Sequence, residues 1–405
     1  TSMSAASPEA KSEGAGPSRR FRYLPGLDGL RGLAILLVML GHARVSWMGG
    51  GLYGVDIFFV LSGFLITSLL LQEYGDRGSI RLRDFYARRL IRLVPALAVM
   101  LAFIAGYVLL TAEGLRRDSE LESILAAATY SSNWVSAFKG LPFLEPMLAQ
   151  HAWSLAIEMQ FYLVWPFVIL GAVGVLRWRR KRPVTAREAA IAVGVAAAAC
   201  WLLAVAARNG VYLLTMDYWR VYAGSDTRSD GLLLGCVLAS VVRLGWTSRS
   251  RQWIGLLGLG LTLAIVAIGM PSNDFIVRWG FALVTLGAAA LIYSVTSRQW
   301  VGSILAVPPL VYTGRISYSL YLWHVPIFLI LYRSYPEAGA WRVAPVGFVI
   351  SFAVGAASYH FVERPMLKVR ARFERTEAGR GTMAAQAEEI VLTDRTLDPA
   401  PQANK

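Results

Sequence analysis

The side chains able to move a proton or hold an anion fall inside the most apolar stretches of this chain. In PGLDGLRGLAILLVMLGH, Arg31 and His42 stand eleven residues apart. Eleven helical steps of 100° return to within about 20° of the start, so both share one face, roughly 16 Å apart along the axis. Arg31 then sits near one membrane edge and His42 near mid-membrane. Asp56 in GVDIFFVLSGFLI shares a face with Gly63, which sets a carboxylate beside a close helix–helix contact. In WSLAIEMQFYLVWP, Ser154, Glu158 and Tyr162 recur every four residues as one polar stripe. Glu158 lies about two turns below the outer edge of its span, close to the expected level of His42, which is its natural partner; Arg228 is the rival.

Further along, DTRSDGLLLG places Asp226 and Asp230 on one face with Arg228 pointing elsewhere. That trio either closes a salt-bridge network at the outer mouth or lines a site. ISYSLYLWHVPI puts Tyr318, Tyr321 and His324 on one side of a helix, where packing competes with a chemical role for His324. His151 and His360 lie at span boundaries without a carboxylate at useful spacing and read as structural. A charge inside an apolar segment costs several kcal/mol unless paired, so each of these residues is either half of a buried pair or part of a functional site. Buried histidine and carboxylates can pass protons and arginine can bind an anion, so a proton-coupled transporter is the competing reading. Pro95, Pro166 and Pro326 do not form the symmetric helix breaks of inverted-repeat transporters, and no repeat is visible.

The elements that must position these groups follow from composition. The 405 residues are 56% hydrophobic and only 16% charged, against roughly 25% charged in soluble domains, and mean hydropathy is +0.48. The fold class is all-α integral membrane, a polytopic bundle of about ten transmembrane helices. The expected spans are 27–45, 54–73, 92–112, 152–174, 188–207, 229–246, 253–270, 277–296, 309–331 and 343–362. A soluble multidomain enzyme, a disulfide-stapled secreted domain and a transmembrane barrel are excluded. Residues 1–22 read as a disordered cytoplasmic tail, 23–366 as the transmembrane domain and 367–405 as a second cytoplasmic tail, basic and disordered. The formal charge of +14 is topological: arginines crowd one set of loops, as in SIRLRDFYARRLIRLVP, so both termini are cytoplasmic and no nucleic-acid partner is implied. Cys200 and Cys236 sit in apolar runs and read as packing, with no metal site.

Together these segments resemble the acyltransferase 3 family of membrane O-acyltransferases. The resemblance is carried by the R-x10-H pair Arg31 and His42, by GVDIFFVLSGFLI, ARRLIRLVP, WSLAIEMQFYLVWP, DTRSDGLLLG and ISYSLYLWHVPI, and by the closing SYHFVERP. One departure is that Glu158 is followed by Met159 where the family often has a second acid. The resemblance implies a bacterial inner-membrane enzyme that moves an acyl group, commonly acetyl, from acyl-CoA to a hydroxyl of a sugar, glycolipid, envelope glycan or macrolide-type product. No tightly bound cofactor is expected. Arg88, Arg89 and Arg92, with Arg31 deeper, would hold the CoA phosphates. His42 would be the general base, with Glu158 or Asp56 fixing its tautomer. Asp230, Arg228, Tyr321 and His324 would line the acceptor side. The chain ends about 40 residues after its last expected span, so no appended esterase-like domain is expected, which favours an acceptor that reaches the membrane site directly.

Overall fold

A computed structural model describes residues 23–45, 48–139, 146–246, 250–269, 274–296 and 300–368. Both expected tails, apart from 367 and 368, lie outside the described residues. Among the described residues the chain forms sixteen α-helices and no strand. They are α1 (Pro25–His42), α2 (Gly54–Arg77), α3 (Leu82–Thr111), α4 (Gly114–Ala128), α5 (Ser132–Lys139), α6 (Trp153–Arg180), α7 (Ala186–Thr215) and α8 (Tyr218–Ala223). Then follow α9 (Ser225–Arg228), α10 (Asp230–Arg243), α11 (Arg251–Ile268), α12 (Phe281–Val295), α13 (Trp300–Leu305), α14 (Pro308–Arg315), α15 (Ser317–Ser334) and α16 (Ala340–Ser358).

Among the described residues, seven helical stretches are long and apolar enough to cross a membrane: Gly49–Arg77, Leu82–Thr111, Gln150–Arg180, Ala186–Thr215, Arg251–Ile268, Ile276–Val295 and Ala340–Lys368. The other three expected spans correspond to α1, α10 and α15, which fall short by that measure for a physical reason. Asp28, Arg31 and His42 lower the hydropathy of α1, Tyr318, Tyr321 and His324 that of α15, and α10 has only 14 residues. In α15 every residue from Ser317 to Leu329 is buried by protein. Such a helix faces other helices rather than lipid and needs no uniformly apolar surface. By contrast α3, α6, α7, α11 and α16 bury a third or less of their apolar windows and expose large side chains such as Leu110, Phe167 and Val349.

Close backbone contacts fix the inner helices against one another. A methyl group on Gly63 of α2 would overlap the Leu232 carbonyl of α10, and one on Gly235 would meet Val60 and Phe64 in return. The close contact expected beside Gly63 is therefore present. Gly29, Gly32 and Gly314 bring α1 equally close to Leu305, Leu310 and Asp28 across the α13–α14 segment. That approach sets Arg31 of α1 beside Ser317 at the start of α15. From there α1 and α15 run the same way, so that His42 and His324 meet further along.

At the end of the bundle away from Arg31, helices α4 and α5 and the short turn Gln150–Ala152 form a cap. Gln160 of α6 donates to the Tyr130 carbonyl (2.9 Å) and to Asn133 (2.9 Å), and Asn133 donates to Ser225 (2.9 Å), tying the cap to α6 and α9. The cap explains a departure from the expected depth of Glu158. Helix α6 starts at the level of His324 rather than at the outer edge, because Ser154 bonds to Tyr321 and the preceding His151 bonds to Leu322. Glu158, one turn on, is thereby moved away from His42 toward the end that holds Arg31.

Candidate active site

Helices α1, α2, α3, α6 and α15 surround an open cavity of about 790 Å3, its mouth included. Arg31, Arg89 and Arg92 line it at one end, Ser154 and Tyr321 at the other, and Ser62, Glu158 and Tyr162 lie along its wall. Arg31 is held by Ser317 Oγ (3.0 Å) and by Asp28 (3.6 Å). Arg89 stacks over the rings of Tyr162 (5.4 Å) and Phe85 (5.8 Å), and its buried Nε has no hydrogen-bond partner. Among the described residues neither Arg89 nor Arg92 forms an ion pair, so Glu158, Glu363 and Asp28 offset the positive charge at this end of the cavity only from a distance. Arg88, expected in the same cluster, does not line the cavity and pairs with Glu73 (3.4 Å). The pair with Glu73 turns Arg88 away from the cavity that Arg89 and Arg92 line.

The expected pairing of His42 with Glu158 or Asp56 is not what the structure shows. The Glu158 carboxylate accepts from Ser62 and Tyr162, and Tyr162 also reaches Ser62 Oγ (3.2 Å). Asp56 pairs with Arg228 at 2.9 Å, both side chains 1% exposed. His42 has other support. It is the last residue of α1, and its Nδ1 faces the Val38 carbonyl at 2.9 Å and His324 Nε2 at 3.4 Å. His324 Nδ1 in turn faces the Leu320 carbonyl at 3.0 Å.

A carbonyl only accepts, so both histidines carry their proton on Nδ1. His324 Nε2 then holds a lone pair toward His42 Nδ1–H, and His42 Nε2 keeps a lone pair of its own. An imidazolium at His42 would be favoured by the exposed carbonyls at the C-terminus of α1, which takes the place of the expected carboxylate.

His151, which reads as structural from the sequence, belongs to the same cluster. Its ring packs 5.6 Å from His324 and 5.5 Å from Tyr321, and His324 and His42 stack edge-on at 5.0 Å. Pro326 supplies the anchor: it has no N–H, so the Leu322 carbonyl four residues earlier is free to accept from His151 Nε2 at 3.1 Å. Tyr321 joins cluster and cavity. Its hydroxyl donates to the His151 carbonyl (2.8 Å) and therefore accepts from Ser154 Oγ (2.6 Å). His360 contacts Tyr312 (3.3 Å) on the exposed side, apart from this cluster.

The residues expected to bind acceptor divide. Tyr321 borders the cavity, and His324, fully buried and outside its lining, packs on Tyr321 at 5.4 Å, but Arg228 and Asp230 are fully buried elsewhere. Asp230 pairs with Arg208 at 2.6 Å, both side chains 0% exposed. Asp226 pairs with Arg220 at 2.6 Å. The Arg228 guanidinium lies 3.8 Å over the Phe281 ring, with Trp153, Tyr222 and Phe59 around it. Each member of the trio thus pairs outside it, and Arg208, with no acid at helical spacing on its own segment, is the partner that sequence reasoning missed.

Residues 24–360, which carry both the cavity and the imidazole cluster, match the family model described as an acyltransferase domain. The chain belongs to the acyltransferase 3 family. Within that family it is 34% identical to "Putative peptidoglycan O-acetyltransferase YrhL" of Bacillus subtilis, over 86% of this chain and 56% of that protein. It is 33% identical to "O-acetyltransferase OatA" of Staphylococcus aureus, over 86% of this chain and 58% of that protein. "Putative O-acetyltransferase SACOL0978" of the same species is 34% identical, over 88% of this chain and 59% of that protein. The chain thus spans less than three-fifths of the length of these curated relatives. No solved structure matches it.

Proposed function

We propose that this acyltransferase 3 member is a membrane O-acyltransferase that moves an acyl group, acetyl first among candidates, from acyl-CoA to a hydroxyl of an envelope glycan. The observation that carries the reading is the continuity of one open cavity, from the unpaired guanidinium groups of Arg89 and Arg92 to Tyr321 beside the imidazole cluster. The cationic end suits the phosphates of CoA, whose thin pantetheine arm would run along the Ser62–Glu158 wall. Both termini and the arginine end face the cytoplasm in this reading, where acyl-CoA is made, and the bundle crosses the bacterial inner membrane ten times. Peptidoglycan, the substrate in the name of the Bacillus relative, is an acceptor of the required kind, and glycolipids and macrolide-type glycosides remain within the same hydroxyl chemistry.

In the transfer step, His42 Nε2 removes the acceptor hydroxyl proton as the oxygen attacks the thioester carbonyl. The tetrahedral adduct collapses with cleavage of the C–S bond, and the CoA thiolate leaves with the proton that His42 carried. His324 holds His42 in the competent tautomer, and is a positioning residue in this scheme. Glu158 orients Ser62 and Tyr162 along the donor channel and limits the positive charge there. Asp56, Arg228 and Asp230 act on the fold and not on the substrate.

The test is release of CoA from acetyl-CoA by purified protein in lipid vesicles, with and without a bacterial envelope-glycan extract. Extract-dependent release by the wild type, lowered at least about 100-fold in His42→Ala at equal protein yield, is the expected result. Equal release by the two proteins would remove His42 as the base.

A further inference from the structure

The acid of the closing block SYHFVERP takes no part in the transfer step. Glu363 ends the π-helical turn Tyr359–Glu363 that follows α16. It is 3% exposed and does not line the donor cavity. Ser319 Oγ donates to its carboxylate at 3.1 Å, and among the described residues no cation touches it. A buried carboxylate costs several kcal/mol unless it is matched, and one hydroxyl offsets only part of that cost.

Three consecutive residues of α15 bring this carboxylate to the arginine end of the cavity. Arg31 donates to Ser317 Oγ (3.0 Å), Tyr318 donates to the carbonyl of Leu93, the neighbour of Arg92 (2.6 Å), and Ser319 donates to Glu363. The start of α15 thereby ties α1, α3 and the turn after α16 together. Arg31 and Arg92 repel one another, and both are within electrostatic reach of Glu363. Arg31 also has Asp28 at 3.6 Å, whereas Arg92 has no carboxylate in contact among the described residues and depends on Glu363 the more. Glu363 therefore lies outside the cavity yet acts on two of the cations that line it.

Such a charge does for the empty cavity what phosphates do for the filled one. Without donor, two like charges share a poorly solvated space, and a nearby carboxylate lowers the cost of keeping them there. With donor bound, the phosphates take over that role and the carboxylate becomes a repulsive neighbour. Affinity is then held below what the arginines alone would give. The same holds for CoA, which carries the same phosphates and has to leave after transfer.

We propose that Glu363 is a positioning residue of the donor site, a fixed counter-charge that holds Arg31 and Arg92 in the empty cavity and keeps CoA from being retained after transfer. This deepens the acyl-CoA reading and rests on it. Loss of a residue that contacts the donor weakens binding, whereas loss of this one strengthens it.

The test is the equilibrium binding of CoA and of acetyl-CoA to the full chain in lipid nanodiscs, with Tm measured on the same preparations. Glu363→Gln keeps the shape of the side chain and an acceptor for Ser319 and removes only the charge. It is expected to bind both ligands about 3- to 10-fold more tightly than wild type while lowering the Tm of the ligand-free protein. Glu363→Asp keeps the charge and is expected to stay within about two-fold of wild-type affinity. A lower Tm with unchanged or weaker affinity in Glu363→Gln marks a residue that only packs the end of α16, and would overturn the proposal. Equal tightening in Glu363→Asp would overturn it as well. If Glu363→Gln does not fold, Arg92→Gln with Glu363→Gln, which keeps the net charge of the wild type, replaces it. Tighter binding than in Arg92→Gln alone is then expected, and equal or weaker binding would overturn the proposal. Wild-type protein that binds neither ligand would overturn the donor reading itself, whereas wild-type binding without tightening in the variant overturns only the role of Glu363.

Discussion

Two groups of charged residues sit inside apolar helices of this chain, and they are built in opposite ways. In the first, Arg208 with Asp230 and Arg228 with Asp56 form ion pairs that are almost fully buried and that bridge α7 to α10 and α9 to α2. In the second, Arg89 and Arg92 face an open cavity with no carboxylate paired to them among the described residues, and Glu158 is satisfied by hydroxyl groups instead of a cation. The difference is what separates fold from function here. A buried charge that has found its counter-charge has little left to offer a ligand, whereas a charge that touches no carboxylate beside open space can still gain from an anion.

The sharpest way to break this contrast is at the base. His42→Ala is expected to lower transfer by about 100- to 10,000-fold, the range of general-base catalysis, with normal folding read from thermal stability. A residual rate within three-fold of wild type would detach the imidazole cluster from the chemistry. Next in size is Asp230→Ala, which leaves Arg208 buried without its partner. It is expected to cost about 3–5 kcal/mol of stability, measured as a large fall in Tm in detergent, while Arg208→Met with Asp230→Leu recovers most of it. An unaltered Tm in the single variant would mean that the pair holds little.

Smaller is His324→Phe, which removes the lone pair that His42 Nδ1–H faces. About a ten-fold loss in kcat with unchanged KM for acyl-CoA is expected, since the residue positions the base and does not touch the donor. A rise in KM alone would place His324 in donor binding. The smallest effect belongs to Arg88→Gln. Arg88 turns from the cavity to Glu73, so acyl-CoA affinity should change less than about three-fold. A loss comparable to that in Arg92→Gln would put all three arginines on the donor.

Much of this was legible in the sequence, and what was not has a common cause. The helices, the shared face of Arg31 and His42, and the stripe of Ser154, Glu158 and Tyr162 follow from periodicity, which fixes directions around one helix. Periodicity does not say which helix stands opposite, or at what depth each begins. Counting turns from an outer edge puts Glu158 beside His42, but the cap pushes the start of α6 inward and sets Glu158 against Ser62. Asp56 and Arg228 lie 172 positions apart in sequence, and no local signal couples them. His151 read as structural because its partners, Leu322 and His324, lie on α15 and depend on a carbonyl freed by Pro326. The count of ten spans met a related limit. Helix α15, surrounded by protein and not lipid from Ser317 to Leu329, need not be uniformly apolar.

The most direct test of the contrast between matched and unmatched charge is the equilibrium affinity for acetyl-CoA of two variants in the same nanodisc preparation. Arg92→Gln removes a cavity cation, and Arg208→Met with Asp230→Leu removes a buried pair of the same charge type. The account predicts at least about ten-fold weaker binding for Arg92→Gln, one lost charge-assisted contact, and less than about two-fold change for the double variant. Weaker binding in the double variant with wild-type affinity in Arg92→Gln would contradict it, and would move the donor site from the cavity to the buried ion pairs.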